Sequence, residues 1–193
     1  MPQLVLASGS VFRRELLGRL GLDFIAEDHR CDEESVMTSG LSPVEVSKTL
    51  SRAKAESLAS AYPEAFILGS DQVVDLDGEV IGKSGTSERA AAQLKRLNAR
   101  DHRLITGLCL RYPNGHCDEA MDIHSMRLRD LSDAEIEEYV RRDDPTDCAG
   151  SYKVERLGIA LFASIDGADF TAINGLPLIT VATMLSKAGF KIL

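Results

Sequence analysis

The sequence predicts a mixed α/β fold in which helices flank a β-sheet, and three observations carry that expectation. Short apolar runs with strand character alternate with stretches whose apolar residues recur at helical spacing. Two tight-turn signals, Asp77-Gly78 and Pro113-Asn114-Gly115, call for antiparallel hairpins, which a purely parallel doubly wound sheet does not contain. With 193 residues, 44% of them hydrophobic, the chain buries a sizeable core. It is most economically a single domain over residues 1–193, with room for two lobes around a cleft.

In order along the chain, Leu4-Val5-Leu6 reads as a buried strand. Ser10 is placed to cap a helix in which Leu16, Leu17 and Leu20 recur at helical spacing before Gly21 stops it. A second strand is expected at Leu22-Asp23-Phe24-Ile25, then an irregular acidic stretch from Cys31-Asp32-Glu33-Glu34 to about Pro43. Val44 to Ser60 predicts a helix with Val46, Leu50, Ala53 and Leu58 on its apolar side. The apolar run from Phe66 to Val74 is a strand that returns after Asp77-Gly78 as Glu79-Val80-Ile81. A helix follows from Thr86 to Leu97, then long strands from Arg103 to Tyr112 and from Cys117 to Arg129. Ser132-Asp133-Ala134-Glu135 is a capping box that opens a helix to Arg142. A polar loop from Asp143 to Lys153, a strand from Ile159 to Ile165 and a helix from Gly175-Leu176-Pro177 to Lys187 complete the reading. Pro177 stands where a first helical turn tolerates it.

The formal charge of -8 excludes a general nucleic-acid binder, which needs a net basic face, but not a small anion in a locally basic pocket. Cys31, Cys109, Cys117 and Cys148 lack C-x-x-C or His/Cys zinc spacing and read as reduced structural thiols. No apolar run reaches bilayer-crossing length and no basic start leads into one, so the expectation is a cytoplasmic protein without a membrane partner.

Two segments carry chemistry. Ser8-Gly9-Ser10, at a strand end that turns into a helix start with Arg13 and Arg14, has the hydroxyls, backbone amides and guanidinium of a phosphate-binding turn. It is not a Walker sequence, and its bland counterpart is an ordinary N-cap followed by solvated arginines. Asp71 interrupts an apolar strand between Ser70 and Gln72. An unpaired buried carboxylate costs several kcal/mol, so Asp71 calls for a metal, a cation or a wet cleft. An edge-strand aspartate facing water is the alternative. Lys54, Lys83 and Glu33, taken alone, read as solvated surface charges, and His29, His102, His116 and His124 lack metal-ligand spacing.

In order, Leu6-Ala7-Ser8-Gly9-Ser10 with Arg13-Arg14-Glu15-Leu16-Leu17, Asp32-Glu33, Lys54-Ala55, Leu68-Gly69-Ser70-Asp71-Gln72-Val73-Val74, Gly82-Lys83, Thr106-Gly107, Cys148-Ala149-Gly150-Ser151-Tyr152 and Gly175-Leu176-Pro177-Leu178 resemble the motifs of the Maf nucleotide pyrophosphatases over nearly the whole chain. The resemblance implies an elongated mixed sheet with two lobes around a cleft, related to the inosine-triphosphate pyrophosphatase fold. It implies hydrolysis of a nucleoside triphosphate to monophosphate and pyrophosphate with a divalent cation, Mg²⁺ or Mn²⁺, and a homodimer. By the same resemblance the catalytic acid and a metal ligand fall on Asp71, a second metal ligand on Glu33, and phosphate binding on Ser8, Ser10, Arg13, Lys54 and Lys83.

Within that family, substrate specificity is implied at Phe12, Gln72 and Glu155. The branch acting on dTTP and UTP typically holds arginine, threonine and glutamine there, whereas the 7-methyl-GTP branch holds an aromatic residue, glutamine and glutamate. This chain has the second set, with Cys148-Ala149-Gly150-Ser151 and Lys153 beside it. N7 methylation makes guanine a cation that keeps its N1–H and amino donors, which suits an aromatic face and a carboxylate. Two departures stand out: Val11-Phe12 where proline and arginine are frequent, and Ser84 after Lys83 where proline is usual. The rivals are a dTTP/UTP pyrophosphatase, a non-catalytic nucleotide-binding regulator linked to septum formation, and a phosphotransferase, for which no Walker or kinase glycine pattern is present.

Overall fold

The computed structural model describes residues 2–37 and 39–193. Strand β1 (Leu4–Ala7) leads through the serine turn into α1 (Val11–Gly18), whose N-cap is Ser10: its Oγ accepts from Arg13 N at 3.4 Å. After β2 (Ile25–Glu27) and the short α2 (Glu33–Met37), helix α3 (Pro43–Ser57) opens on a capping box between Ser42 and Glu45, with proline at its first position. Strand β3 (Phe66–Leu76) turns at Asp77 and Gly78, both with positive φ, into β4 (Glu79–Ile81). That is the backbone a two-residue hairpin needs. Thr86 caps α4 (Ser87–Leu97), β5 (Asp101–Arg111) and β6 (Cys117–Leu128) form the second hairpin, and Ser132 and Glu135 box the start of α5 (Asp133–Asp143). Strand β7 (Phe162–Asp166) and α6 (Leu178–Lys187) complete the order, with 3-10 turns at Pro145–Asp147, Leu157–Leu161 and Phe170–Asn174.

Three expected boundaries differ. The acidic stretch contains α2, because Asp32 Oδ1 accepts from Ser35 N at 3.3 Å and Glu33 and Glu34 fall in the first turn, where the helix dipole favours anions. Strand β2 begins at Ile25 rather than Leu22, since it must pair in register with β1: Val5 opposite Ile25, Ala7 opposite Glu27. The run expected as a strand from Ile159 starts as a 3-10 turn and becomes extended only at Phe162, where Leu128 pairs with it.

Among the described residues the sheet has seven strands, in the order β2-β1-β3-β5-β6-β7 with β4 added to β3. It is mixed: β1 is parallel to β2 and β3, while β3–β4 and β6–β7 are antiparallel. The chain forms two compact units. The first takes residues up to Gln72, Thr106–Asp122 and Asp169–Leu193, and the second takes Val73–Ile105 and Ile123–Ala168.

In the first unit, side-chain alternation divides each strand between two cores. Leu4, Leu6, Leu68, Leu108 and Leu110 pack with Leu16 and Leu17 of α1 and Val181 and Leu185 of α6. Val5, Ala7, Ile67 and Cys109 face the other way, onto Ala55 and Leu58. Helix α3 lies very close to the sheet there. Ser47, Ser51 and Ala55 recur every fourth residue on it and meet Gly69 and Gly107. A Cβ on Gly69 would sit 2.1 Å from Ser51 O, and one on Gly107 would sit 2.6 Å from Ser47 O. Ser47 Oγ fixes the contact, accepting from Gly107 N at 2.8 Å and donating to Asp71 O at 3.1 Å.

In the second unit, His102 of β5 is buried beside Tyr152, 3.3 Å from Nε2 to the phenol oxygen, and burial holds its imidazole down at about 4. The unfolded chain therefore binds a proton near pH 6.5 that the folded chain refuses until near pH 4, so this contribution is complete above pH 6.5 and is lost as pH falls toward 4. Between pH 7 and pH 5 it amounts to about 2 kcal/mol. Urea denaturation at the two pH values should show that loss in the wild type and a flatter response in His102→Gln; equal pH dependence in both would assign it elsewhere.

Candidate active site

The serine turn is built by the end of β1. Ser8 is buried, its N–H bonds back to Leu6 O at 3.0 Å, and its Oγ accepts from Ser10 N at 3.2 Å. With Ser10 capping α1, the first helical turn presents Arg13 inward. Arg13 Nε donates to Gly175 O at 2.9 Å, and Gly175 has φ +94°. A Cβ there would meet Arg13 Nε at 3.1 Å, so glycine is required by both backbone and space. Burial lowers the Arg13 pKa while the charges of Asp71 and Glu33 raise it, which puts the guanidinium in the field of both carboxylates.

Those carboxylates come together over α3. Asp71 is 6% exposed and Lys54 is 3% exposed. Lys54 Nζ lies 2.6 Å from Asp71 Oδ1 and 2.6 Å from Glu33 Oε1. The ammonium thus joins an acid of the strand to one on α2, and it is there because α3 approaches the sheet at Gly69. His29 Nε2 lies 3.4 Å from Glu33 Oε1, and burial followed by the Lys54 charge keeps that imidazole below its usual range. Asp71 Oδ2 is buried with no hydrogen-bond partner among the described residues. Such an orphaned acceptor is costly and marks a position for a donor or cation.

The neighbours of Asp71 on β3 point to the opposite face. Ser70 Oγ donates to Gly175 O at 2.9 Å. Gln72 Nε2 donates to Thr106 Oγ1 at 2.9 Å and to Ala172 O at 2.7 Å, and a carbonyl at that distance requires the NH₂ rather than the carbonyl end of the amide. Phe12, in the first turn of α1, is 37% exposed. Ser8, Ser10, Phe12, Arg13, Glu33, Lys54, Asp71 and Gln72 therefore all belong to the first unit.

Lys83 and Glu155 belong to the second. There Lys83 forms an isolated antiparallel bridge with Ala149, Gly82 O accepts from Gln93 Nε2 at 3.2 Å, and Gln93 Oε1 accepts from Ser151 Oγ at 2.6 Å. The Cys148-Ala149-Gly150-Ser151 segment is thus tied to the lysine loop. Ser84 is buried in that turn. Glu155 is exposed two residues past Lys153, whose Nζ pairs with Asp147 at 2.9 Å.

The sequence profile described as Maf-like protein matches residues 3–188. The chain belongs to the Maf family. This Maf chain is 46% identical over 192 residues, all of this chain and 99% of the relative, to a protein of Xanthomonas campestris pv. campestris (strain 8004) named 7-methyl-GTP pyrophosphatase. It is 45% identical over 193 residues, covering both chains fully, to a protein of the same name from Pseudomonas syringae pv. tomato (strain ATCC BAA-871 / DC3000). Among solved structures, a HAM1 protein from Coxiella burnetii superposes with TM-score 0.51 at 17% identity, over 97% of this chain and 100% of that one. That likeness concerns the fold, and it bears out the mixed α/β architecture.

Sequence reasoning did not single out the 3-10 turn after β7 as part of the Maf site. Its carbonyls at Ala172 and Gly175 accept from Gln72, Ser70 and Arg13. Asp169 fixes the turn: Oδ1 accepts from Thr171 N at 3.0 Å and Thr171 Oγ1 at 2.6 Å, and Oδ2 accepts from Ile179 N at 2.7 Å. Thr106-Gly107 and Gly175-Leu176-Pro177 carried the family pattern without an assigned task; here they meet Gln72, Ser47 and Arg13. Among the described residues no helix is long and apolar enough to cross a membrane, and no three His, Cys, Asp or Glu side chains form a metal-binding group.

Proposed function

We propose that this protein hydrolyses the α–β phosphoanhydride of a nucleoside triphosphate, yielding the monophosphate and pyrophosphate, and that its substrate is 7-methyl-GTP. The buried Asp71 carboxylate, with one oxygen on Lys54 and the other without a partner among the described residues, carries the reading. The relatives named 7-methyl-GTP pyrophosphatase support the reaction and the base.

Ser8, Ser10 and the amides of the first turn of α1 bind phosphate oxygens as donors. Arg13 adds a charged fork already oriented by Gly175 O, and Lys54 supplies a point charge for the triphosphate. Asp71 holds or takes the proton of the attacking water at Oδ2, the oxygen with no other partner. Lys54, itself held by Glu33, orients the carboxylate at Oδ1.

The donor set fits a divalent cation. Hard carboxylate oxygens, one of them orphaned and buried, match Mg²⁺ or Mn²⁺, which are held by one or two carboxylates together with substrate phosphates rather than by an all-protein cage. Asp71 and Glu33 are the residues that would hold it. When bound, it supplies Lewis-acid stabilisation of phosphate charge. Phe12 offers a face for the cationic base, worth about 0.5–2 kcal/mol. The four free cysteines fit a reducing cytoplasmic setting.

A pyrophosphate-release screen over 7-methyl-GTP, GTP, dTTP and UTP, with Mg²⁺, Mn²⁺ or a chelator, tests reaction, base and metal together. Pyrophosphate and 7-methyl-GMP, lost on chelation, are expected. Preference for dTTP or UTP would transfer the chain to the other branch, and binding without any product would make it a nucleotide-binding regulator.

A further inference from the structure

Four large apolar side chains on the first unit stand in solvent on elements bonded to one another: Val11 and Phe12 on α1, Phe170 on the 3-10 turn and Ile179 on α6. Phe170 is the most exposed of these, at 74%. Scattered surface hydrophobics are ordinary, but these four stand on elements that meet one another. Helix α1 packs on the 3-10 turn, Arg13, next to Phe12, donates to Gly175 O, and Asp169 Oδ2 accepts from the backbone of Ile179. The backbone beneath Phe170 is rigid, because the preceding Asp169 is buried and its carboxylate accepts three hydrogen bonds. A large ring held out by a fixed backbone, with little covering it, has the preorganisation of a binding element. The same turn holds Gln72 by Ala172 O.

We propose that Phe170 is a second aromatic wall of the base site, stacking on the methylated purine cation from the side opposite Phe12. The inference rests on the nucleotide reading above. One benzene face is a weak cation–π partner, and two faces around a delocalised cation form an aromatic cage of the kind that recognises quaternary ammonium groups. A neutral base gains only dispersion and area from the same rings, so the second ring sharpens the choice of a methylated over an unmethylated guanine. Gln72 contributes its amide carbonyl or acts only through the turn, since both its N–H groups are committed to Thr106 and Ala172.

The test compares kcat/KM for 7-methyl-GTP and GTP in wild type, Phe170→Ala, Phe170→Leu and Phe170→Trp. Phe170→Ala and Phe170→Leu should both lower the 7-methyl-GTP to GTP ratio by roughly 3- to 30-fold, mainly through KM, because leucine restores bulk without a π face; Phe170→Trp should hold or raise it. The chain has no tryptophan, so the last variant also carries a single tryptophan, which can be excited selectively over the four tyrosines. Its emission should be quenched saturably by 7-methyl-GMP and far less by GMP. An unchanged ratio in Phe170→Ala, or full rescue by Phe170→Leu, overturns the stacking role and leaves the pyrophosphatase reading standing if the wild type turns over 7-methyl-GTP. A wild type inert toward 7-methyl-GTP overturns both. Loss of a dimer in Phe170→Ala, with both substrates equally affected, also overturns it by making the patch a contact between two copies.

Discussion

Asp71→Asn is expected to lower turnover by about 10²- to 10⁴-fold, the range over which a positioned general base contributes. The substitution keeps the planar shape and the strand, so the protein folds and binds nucleotide. What it removes is the negative charge at Oδ2, where the water proton or a cation is received, and one of the two anionic partners of Lys54. Lys54 keeps Glu33 at 2.6 Å and stays in place. The effect should therefore fall on kcat more than on KM, the pattern of an interaction made in the transition state. Steady-state kinetics with the preferred nucleotide checks this. Near wild-type turnover would remove Asp71 from the chemistry.

Gly69→Ala is expected to have the largest effect on the scaffold. The added methyl would meet Ser51 O at 2.1 Å and Ala55 N at 2.9 Å, both backbone atoms that no rotamer change can move. Helix α3 has to lift from β3 at a cost of about 3 kcal/mol, the upper range for overpacking. For a chain of this size that lowers the melting temperature by roughly 6–12 °C. Lifting α3 also draws Lys54 away from Asp71, so specific activity of the folded fraction should drop well below wild type. Calorimetry and activity measured below the transition check both parts. Unchanged melting would mean that the close crossing is not tight.

Much of this was legible in the residues. The alternation Leu68, Ser70, Gln72 against Ile67, Gly69, Asp71 follows from strand period, and it assigns Asp71 to one face and Gln72 to the other before any contact is known. Caps at Ser10 and Ser132 and the Asp77-Gly78 turn are local chemistry, and they formed where the side chains dictate. Helix α2 was missed because its five residues lack apolar periodicity and rest on the single cap from Asp32. The meeting of Ser47, Ser51 and Ala55 with Gly69 and Gly107 joins residues far apart in sequence; small side chains announce that a close approach is allowed without saying with what. The 3-10 turn at Phe170–Asn174 was hidden for a related reason, since its work is done by backbone carbonyls that every residue possesses.

The two-faced strand β3 acts as a partition wall. Odd positions hand their side chains to the lysine helix, and even positions hand theirs to the carbonyl-rich turn, so the same short stretch of main chain feeds two separate rooms. One side chain crosses between them: Arg13, seated on the turn at Gly175 O, lies in the field of Asp71 and Glu33, so a change that tilts the turn is felt on the acidic side of the wall as well.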